Sequence, residues 1–85
     1  MPRSTFTEAH EILVDELVRL RRERGVSQVE LARRLGKRQQ FISLIERGDR
    51  RIDVIEVCAI VRALGADPVA FLVQLFDRIP DPVSI

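Results

Sequence analysis

Cysteine occurs once in this chain and histidine once, and no apolar run approaches the roughly eighteen residues that a membrane-spanning helix needs. Each scarcity excludes a class of protein. Cys58 has no second cysteine for an intrachain disulfide, and its apolar surroundings in sequence make it a small buried hydrophobe. His10 has Glu8, Glu11 and Asp15 near it in sequence, but no second histidine or cysteine at metal-ligand spacing, so a surface histidine is the expectation. Glycine is too sparse for a phosphate-cradling loop, and no activated nucleophile is visible, so neither an enzyme nor a cofactor is expected. Residues 1–16 carry acids where a signal peptide needs a basic start and an apolar stretch, so the chain reads as cytoplasmic, with no membrane partner. Repeats, low-complexity tracts and long linkers are also missing.

What is present is the composition of one small globular domain. The 85 residues are 46% hydrophobic and 32% charged, enough for a modest core. The net charge of +1 hides a strong division along the chain. Residues 1–18 and 52–85 each sum to −3. Residues 19–51 hold eleven cations (Arg19, Arg21, Arg22, Arg24, Arg33, Arg34, Lys37, Arg38, Arg47, Arg50 and Arg51) against four acids, a net of +7. Ten of the eleven are arginine, whose planar fork suits bidentate contacts to phosphate and guanine. Solvated helix faces also collect such charges, but an excess confined to one third of the chain points to an anionic partner.

Helix signals follow one another at short intervals. Thr5 and Glu8 have capping-box spacing, and Leu13, Leu17 and Leu20 then line one side of a helix that stops at Gly25. Ser27 caps a second helix, with Leu31, Ala32 and Leu35 at core spacing and Gly36 as its end. A third runs from about Gln39 and stops before Gly48. Asp53 with Glu56 caps a fourth, carrying Val54, Val57, Cys58, Val61 and Leu64 to Gly65. Asp67 and Pro68 open a fifth through Phe71, Leu72, Leu75 and Phe76. Strands are not expected, because the β-branched residues recur at helical spacing. The fold class is therefore all-α, a compact five-helix domain.

The third helix has two distinct faces. At about 100° per residue, Phe41, Ile42 and Ile45 share one side, Gln39, Gln40, Ser43 and Arg47 share the other, and Leu44 lies at the border. Taken alone, the polar side is an ordinary solvent-facing surface. Its setting changes the reading: two short helices joined by a glycine turn, inside the basic third, form a helix-turn-helix arrangement whose second helix enters the major groove.

The stretch LRRERGVSQVELARRLGKRQQFISLIERG, residues 20–48, resembles the phage-repressor and Cro type of helix-turn-helix, the lambda-repressor-like domain of many bacterial regulators. The resemblance continues through RRIDVIEVCAIVRALGADPVAFL and covers about residues 13–75, with the motif at about 28–47 in a single 1–85 domain. It implies that Gln28 bonds a backbone phosphate and braces the first recognition-helix side chain. Ala32 matches the small residue where the two helices cross, and Ile42 and Ile45 the core positions. Gln39 and Gln40 match the first base-facing positions, where an amide can read adenine bidentately, and Ser43 a further one. Arg21 and Glu46 match a structural ion pair between the first and third helices. Lys37 departs from the pattern, since the turn there usually carries an apolar residue; its ammonium is expected to reach phosphate while its stem covers the core edge. Leu44 departs too, and can touch a thymine methyl or pack beside Phe41. Ser27, Gln28, Lys37, Arg38, Arg47, Arg50 and Arg51 make up the expected phosphate contacts, the last two with a possible minor-groove reach.

The implied function is sequence-specific binding of double-stranded DNA by a small regulator, a repressor acting as a homodimer on a palindrome and associated with the nucleoid. Two surfaces are available for dimerisation: Phe6, Ile12, Val14 and Val18 on the first helix, or Phe71, Phe76 and Ile79 near the C-terminus, unless each covers the other within one chain. The alternative is a protein-binding helix-turn-helix module, either an antitoxin or an accessory regulator. The short tail, residues 80–85, is brief for a toxin-neutralising extension and disfavours the antitoxin form.

Overall fold

The computed structural model describes residues 7–85, which form five helices: α1 (Glu8–Glu23), α2 (Gln28–Leu35), α3 (Gln39–Glu46), α4 (Val54–Ala63) and α5 (Pro68–Arg78). No strand occurs among the described residues. The expected Thr5 cap lies outside them. α1 opens instead beneath Thr7, whose Oγ1 accepts from the His10 amide at 3.3 Å. Ser27 caps α2 by accepting from the Glu30 amide at 3.0 Å. Asp53 and Glu56 form a reciprocal capping box on α4, at 2.7 and 3.0 Å, and Asp67 with Pro68 begins α5. Gly36 ends α2 at φ 67 and ψ 32, a left-handed conformation in which a side chain would clash with its own backbone.

All five helices contribute to one core. Leu17 of α1, Leu31 and Ala32 of α2, Ile42 and Ile45 of α3, Val57, Ile60 and Val61 of α4, and Phe71 and Leu75 of α5 are buried in it. Ala32 lets α2 and α3 approach closely, because a larger side chain there would separate them. Arginines complete the C-terminal end of α4. Arg34 donates to the Ala63 carbonyl at 2.8 Å and Arg24 to the Gly65 carbonyl at 3.0 Å, which satisfies acceptors that a helix end leaves open.

Several expectations about burial need correction. On α1 the buried arc runs through His10, Val14, Leu17 and Arg21, while Leu13 and Leu20 flank it half-buried. Glu16, on the other side of Leu13 and Leu20, is buried as well, so three of the five buried residues of α1 are polar and apolar spacing does not mark them. Val14 is thereby a core residue and leaves the proposed dimer surface; Ile12 and Val18 are half-buried, and Phe6 lies outside the described residues. His10 is buried rather than superficial. On α4 the arc is Val57, Ile60, Val61 and Leu64. Cys58 is only half-buried, and Val54, at the first helical position with nothing covering it, is 63% exposed. On α5, Phe71 is buried and Ile79 half-buried, but Phe76 projects outward at 64% exposure.

Burial lowers the pKa of His10 from its usual 6.5; the positive charge of Arg51 adds to this and Glu11 opposes it. The unfolded chain therefore holds the proton more tightly than the folded one. Stability is complete above the unfolded value and declines as pH falls below it. Denaturant titrations should show a midpoint that falls as the pH drops below the ordinary histidine value of about 6.5, and His10→Gln should flatten that fall.

Candidate nucleic-acid interface

The site is built from α2, the Gly36 turn and α3. Ile42 and Ile45 are 1% and 2% exposed, so they anchor α3 by one side. That anchoring turns Gln39, Gln40 and Arg47 outward, with Ser43 and Leu44 half-buried beside them. Phe41, grouped with the buried side, is only half-buried at the edge of the core.

A polar chain runs beneath this surface. Arg21 donates from Nε to Glu46 Oε2 at 2.7 Å and from Nη2 to Oε1 at 2.9 Å, and its Nη1 donates to the Val26 carbonyl at 2.9 Å. Both side chains are nearly enclosed, at 11% and 10% exposure. Gln28 continues the chain, donating from Nε2 to Glu46 Oε1 at 2.8 Å and accepting at Oε1 from Gln39 Nε2 at 3.2 Å. Arg21, Glu46, Gln28 and Gln39 are thus linked in sequence, and the first outward amide of α3 is oriented from below. The resemblance implied the Arg21–Glu46 pair and the bracing of Gln39; the direct Gln28–Glu46 bond was not foreseen.

The basic third of the chain divides in three dimensions. Arg19 pairs with Glu16, and Arg33 and Arg34 hold Glu30 on the exposed side of α2, pulling its carboxyl pKa down to about 2 by hydrogen bonding. Arg24 and Arg34 also serve the end of α4. Lys37, Arg38, Arg47, Arg50 and Arg51 remain around α3. Arg38 is exposed at the N-cap of α3 and makes no ion pair among the described residues. Arg47 meets Asp49 at 3.2 Å, with both side chains more than half exposed. Lys37 places Nζ 5.3 Å from the centre of the Phe41 ring. Arg50 is engaged more fully, by both carboxylate oxygens of Glu56 at 3.0 and 2.9 Å and by the Arg51 carbonyl at 2.7 Å. Ser27 is exposed, with its oxygen on the Glu30 amide. By its spacing Glu56 is only a cap; its contact with Arg50 joins the loop after α3 to the first turn of α4, where no periodicity predicts a partner.

Two short helices crossing at a small residue, the second held by its apolar side and presenting amides between cations, define a helix-turn-helix protein. The comparisons agree. The helix-turn-helix family model HTH_3 matches residues 17–71, and the chain belongs to this family of transcriptional regulators, whose members are not enzymes. An uncharacterized HTH-type transcriptional regulator, y4dJ of Sinorhizobium fredii, is 37% identical over 73 residues, covering 86% of this chain and 94% of that protein. The solved structure of an XRE-family like protein from Pseudomonas syringae pv. tomato superposes with a TM-score of 0.79 at 42% identity, covering 85% and 88% of the two chains. The clp gene regulator ClgR of Corynebacterium glutamicum gives 0.73 at 25% identity, over 84% and 76%.

Because Arg21 is enclosed, removing its counter-charge leaves a buried cation. Glu46→Ala should lower stability by about 3 kcal/mol or more, and Glu46→Gln, which keeps an acceptor, by clearly less. Urea unfolding of the three proteins at one pH checks the order.

Proposed function

We propose that this chain is a repressor that binds a specific duplex DNA sequence as a homodimer on a palindromic operator, with α3 in the major groove. The observation that carries the reading is the outward amide pair Gln39 and Gln40, with Gln39 held by Gln28, on a helix fixed by its opposite side and flanked by cations. A glutamine amide can donate to adenine N7 while accepting from N6, and it is most selective when its rotamer is set beforehand. Ser43 adds a hydroxyl and Leu44 an apolar surface suited to a thymine methyl.

Affinity comes from charge. Lys37, Arg38, Arg47 and Arg51 border α3, and Ser27 and Gln28 stand at the N-terminus of α2, where the helix dipole favours phosphate. Neutralising about four to six phosphates gives a log K that falls with log salt by about 0.9 per contact. One such domain spans few base pairs, so two copies are needed for selection in a genome. The exposed row Val69, Val73 and Phe76 on α5 offers an apolar surface for that pairing. A protein-binding role, as an antitoxin or accessory regulator, is the second reading, and the same row could serve it. Binding to chromosomal DNA would place the protein in the cytoplasm with the nucleoid.

Selection of bound duplexes from a random pool at near-physiological salt is the direct test. A palindrome is expected; no enrichment would favour the protein-binding reading. With the selected site in hand, Gln40→Ala should flatten preference among related sequences with little change in nonspecific binding. Arg38→Ala should weaken all duplexes alike and reduce the salt slope by about 0.9. Equal losses on specific and nonspecific DNA for Gln40→Ala would remove that residue from base reading.

A further inference from the structure

Among the described residues, α3 is the one helix whose N-cap makes no side-chain hydrogen bond. Its N-terminal turn carries Gln39 and Gln40, the end that must be placed most accurately. Its C-terminal end is secured through Glu46; at its N-terminal end Gln28 braces the Gln39 side chain, but no side chain caps the backbone.

A further restraint on this turn is visible at Phe41. The guanidinium carbon of Arg50 lies 4.8 Å from the centre of its ring, and Lys37 Nζ lies 5.3 Å from the same centre. A cation over an aromatic ring attracts it, most strongly when partly desolvated. Arg50 is itself immobilised: its two terminal nitrogens meet both oxygens of Glu56, and one of them also donates to the Arg51 carbonyl. Glu56 is fixed in turn by the α4 capping box. Beside the ring, toward α4, a cleft of about 140 Å³ lined by Leu35, Ala59 and Ile60 shows that apolar packing does not fill this flank. Cations, not a close-packed core, hold Phe41 from this side.

We propose that Glu56 and Arg50 are positioning residues for base recognition: through Phe41 they clamp the N-terminal turn of α3 to α4, in place of the cap that α3 lacks. On this assignment Arg50 is not a phosphate contact, because three of its five N–H donors are engaged within the protein, two by Glu56 and one by the Arg51 carbonyl. The inference deepens the DNA-binding reading and rests on it for its effect on recognition, but the clamp itself exists without DNA.

The test uses the full chain, with Arg50→Gln, Arg50→Lys and Glu56→Gln; the last retains an oxygen for the Asp53 amide and so keeps the capping box. On the selected duplex, Arg50→Gln and Glu56→Gln should each lose about tenfold in affinity, with nonspecific affinity and salt slope unchanged. Arg50→Lys should resemble Arg50→Gln, because a single ammonium cannot reproduce the bidentate, stacked geometry. A salt slope reduced by about 0.9 in Arg50→Gln, with recovery in Arg50→Lys, would overturn the proposal and make Arg50 a phosphate contact. Unchanged specific binding in all three would overturn it as well. Without DNA, the Arg50 side-chain protons should show the upfield ring-current shift of a group over Phe41, and Glu56→Gln should abolish it while displacing the Gln39 and Gln40 amide resonances. Absence of that shift in the wild-type protein sinks the clamp whether or not duplex binding is found, and its presence in a protein that binds no duplex would refute the DNA reading alone.

Discussion

The buried pairing of Arg21 with Glu46 is the constraint on which the rest of the site depends. Two charges at about one-tenth exposure lose most of their hydration, and only well-made contacts offset that loss. Here both carboxylate oxygens are occupied, and the remaining arms of the guanidinium reach the backbone at Val26. The geometry is exacting, so it transmits position. α1 holds the end of α3, the Val26 turn sets the start of α2, and Gln28 carries the same network up to Gln39. A pair that contributes modestly to net stability can still determine where a reading side chain stands.

The second organising fact is how the structure spends its basic residues. Eleven cations in the central third suggest one continuous anion-binding surface, yet several act internally. Arg24 and Arg34 close the end of α4, Arg33 and Arg34 neutralise Glu30, and Arg50 is taken up by Glu56 and Phe41. The cations left around α3 are fewer and closer to the reading face. This separation suits a protein that must discriminate: dispersed charge raises affinity for every sequence, whereas braced amides raise it for few.

Much of the fold was legible because local signals agreed with one another. Ser27, Asp53 and Asp67 cap where their spacing says they should, and Gly36 and Gly65 turn where a left-handed residue is needed. The errors share one cause. Periodicity ranks residues by polarity, so it passed over the buried His10, Glu16 and Arg21 of α1 and credited Val54, Cys58 and Phe76 with burial that their neighbours do not provide. A partial exposure such as that of Cys58 depends on which element lies opposite, and spacing along one helix carries no such information.

The candidate site divides the same way. The amino-acid sequence by itself determined five helices, the glycine turn, the two-faced α3 and the concentration of arginine around it, since each follows from side-chain chemistry within a few residues. Through a family resemblance it also indicated the Arg21–Glu46 pair. Only the tertiary structure decided which cations remain directed outward, that Gln28 also bonds Glu46, and that Phe41 lies at the core edge with Lys37 and Arg50 against its ring. Those contacts join residues on different helices and loops. Their distances are set by how the core packs, a property of the whole chain that no local pattern contains.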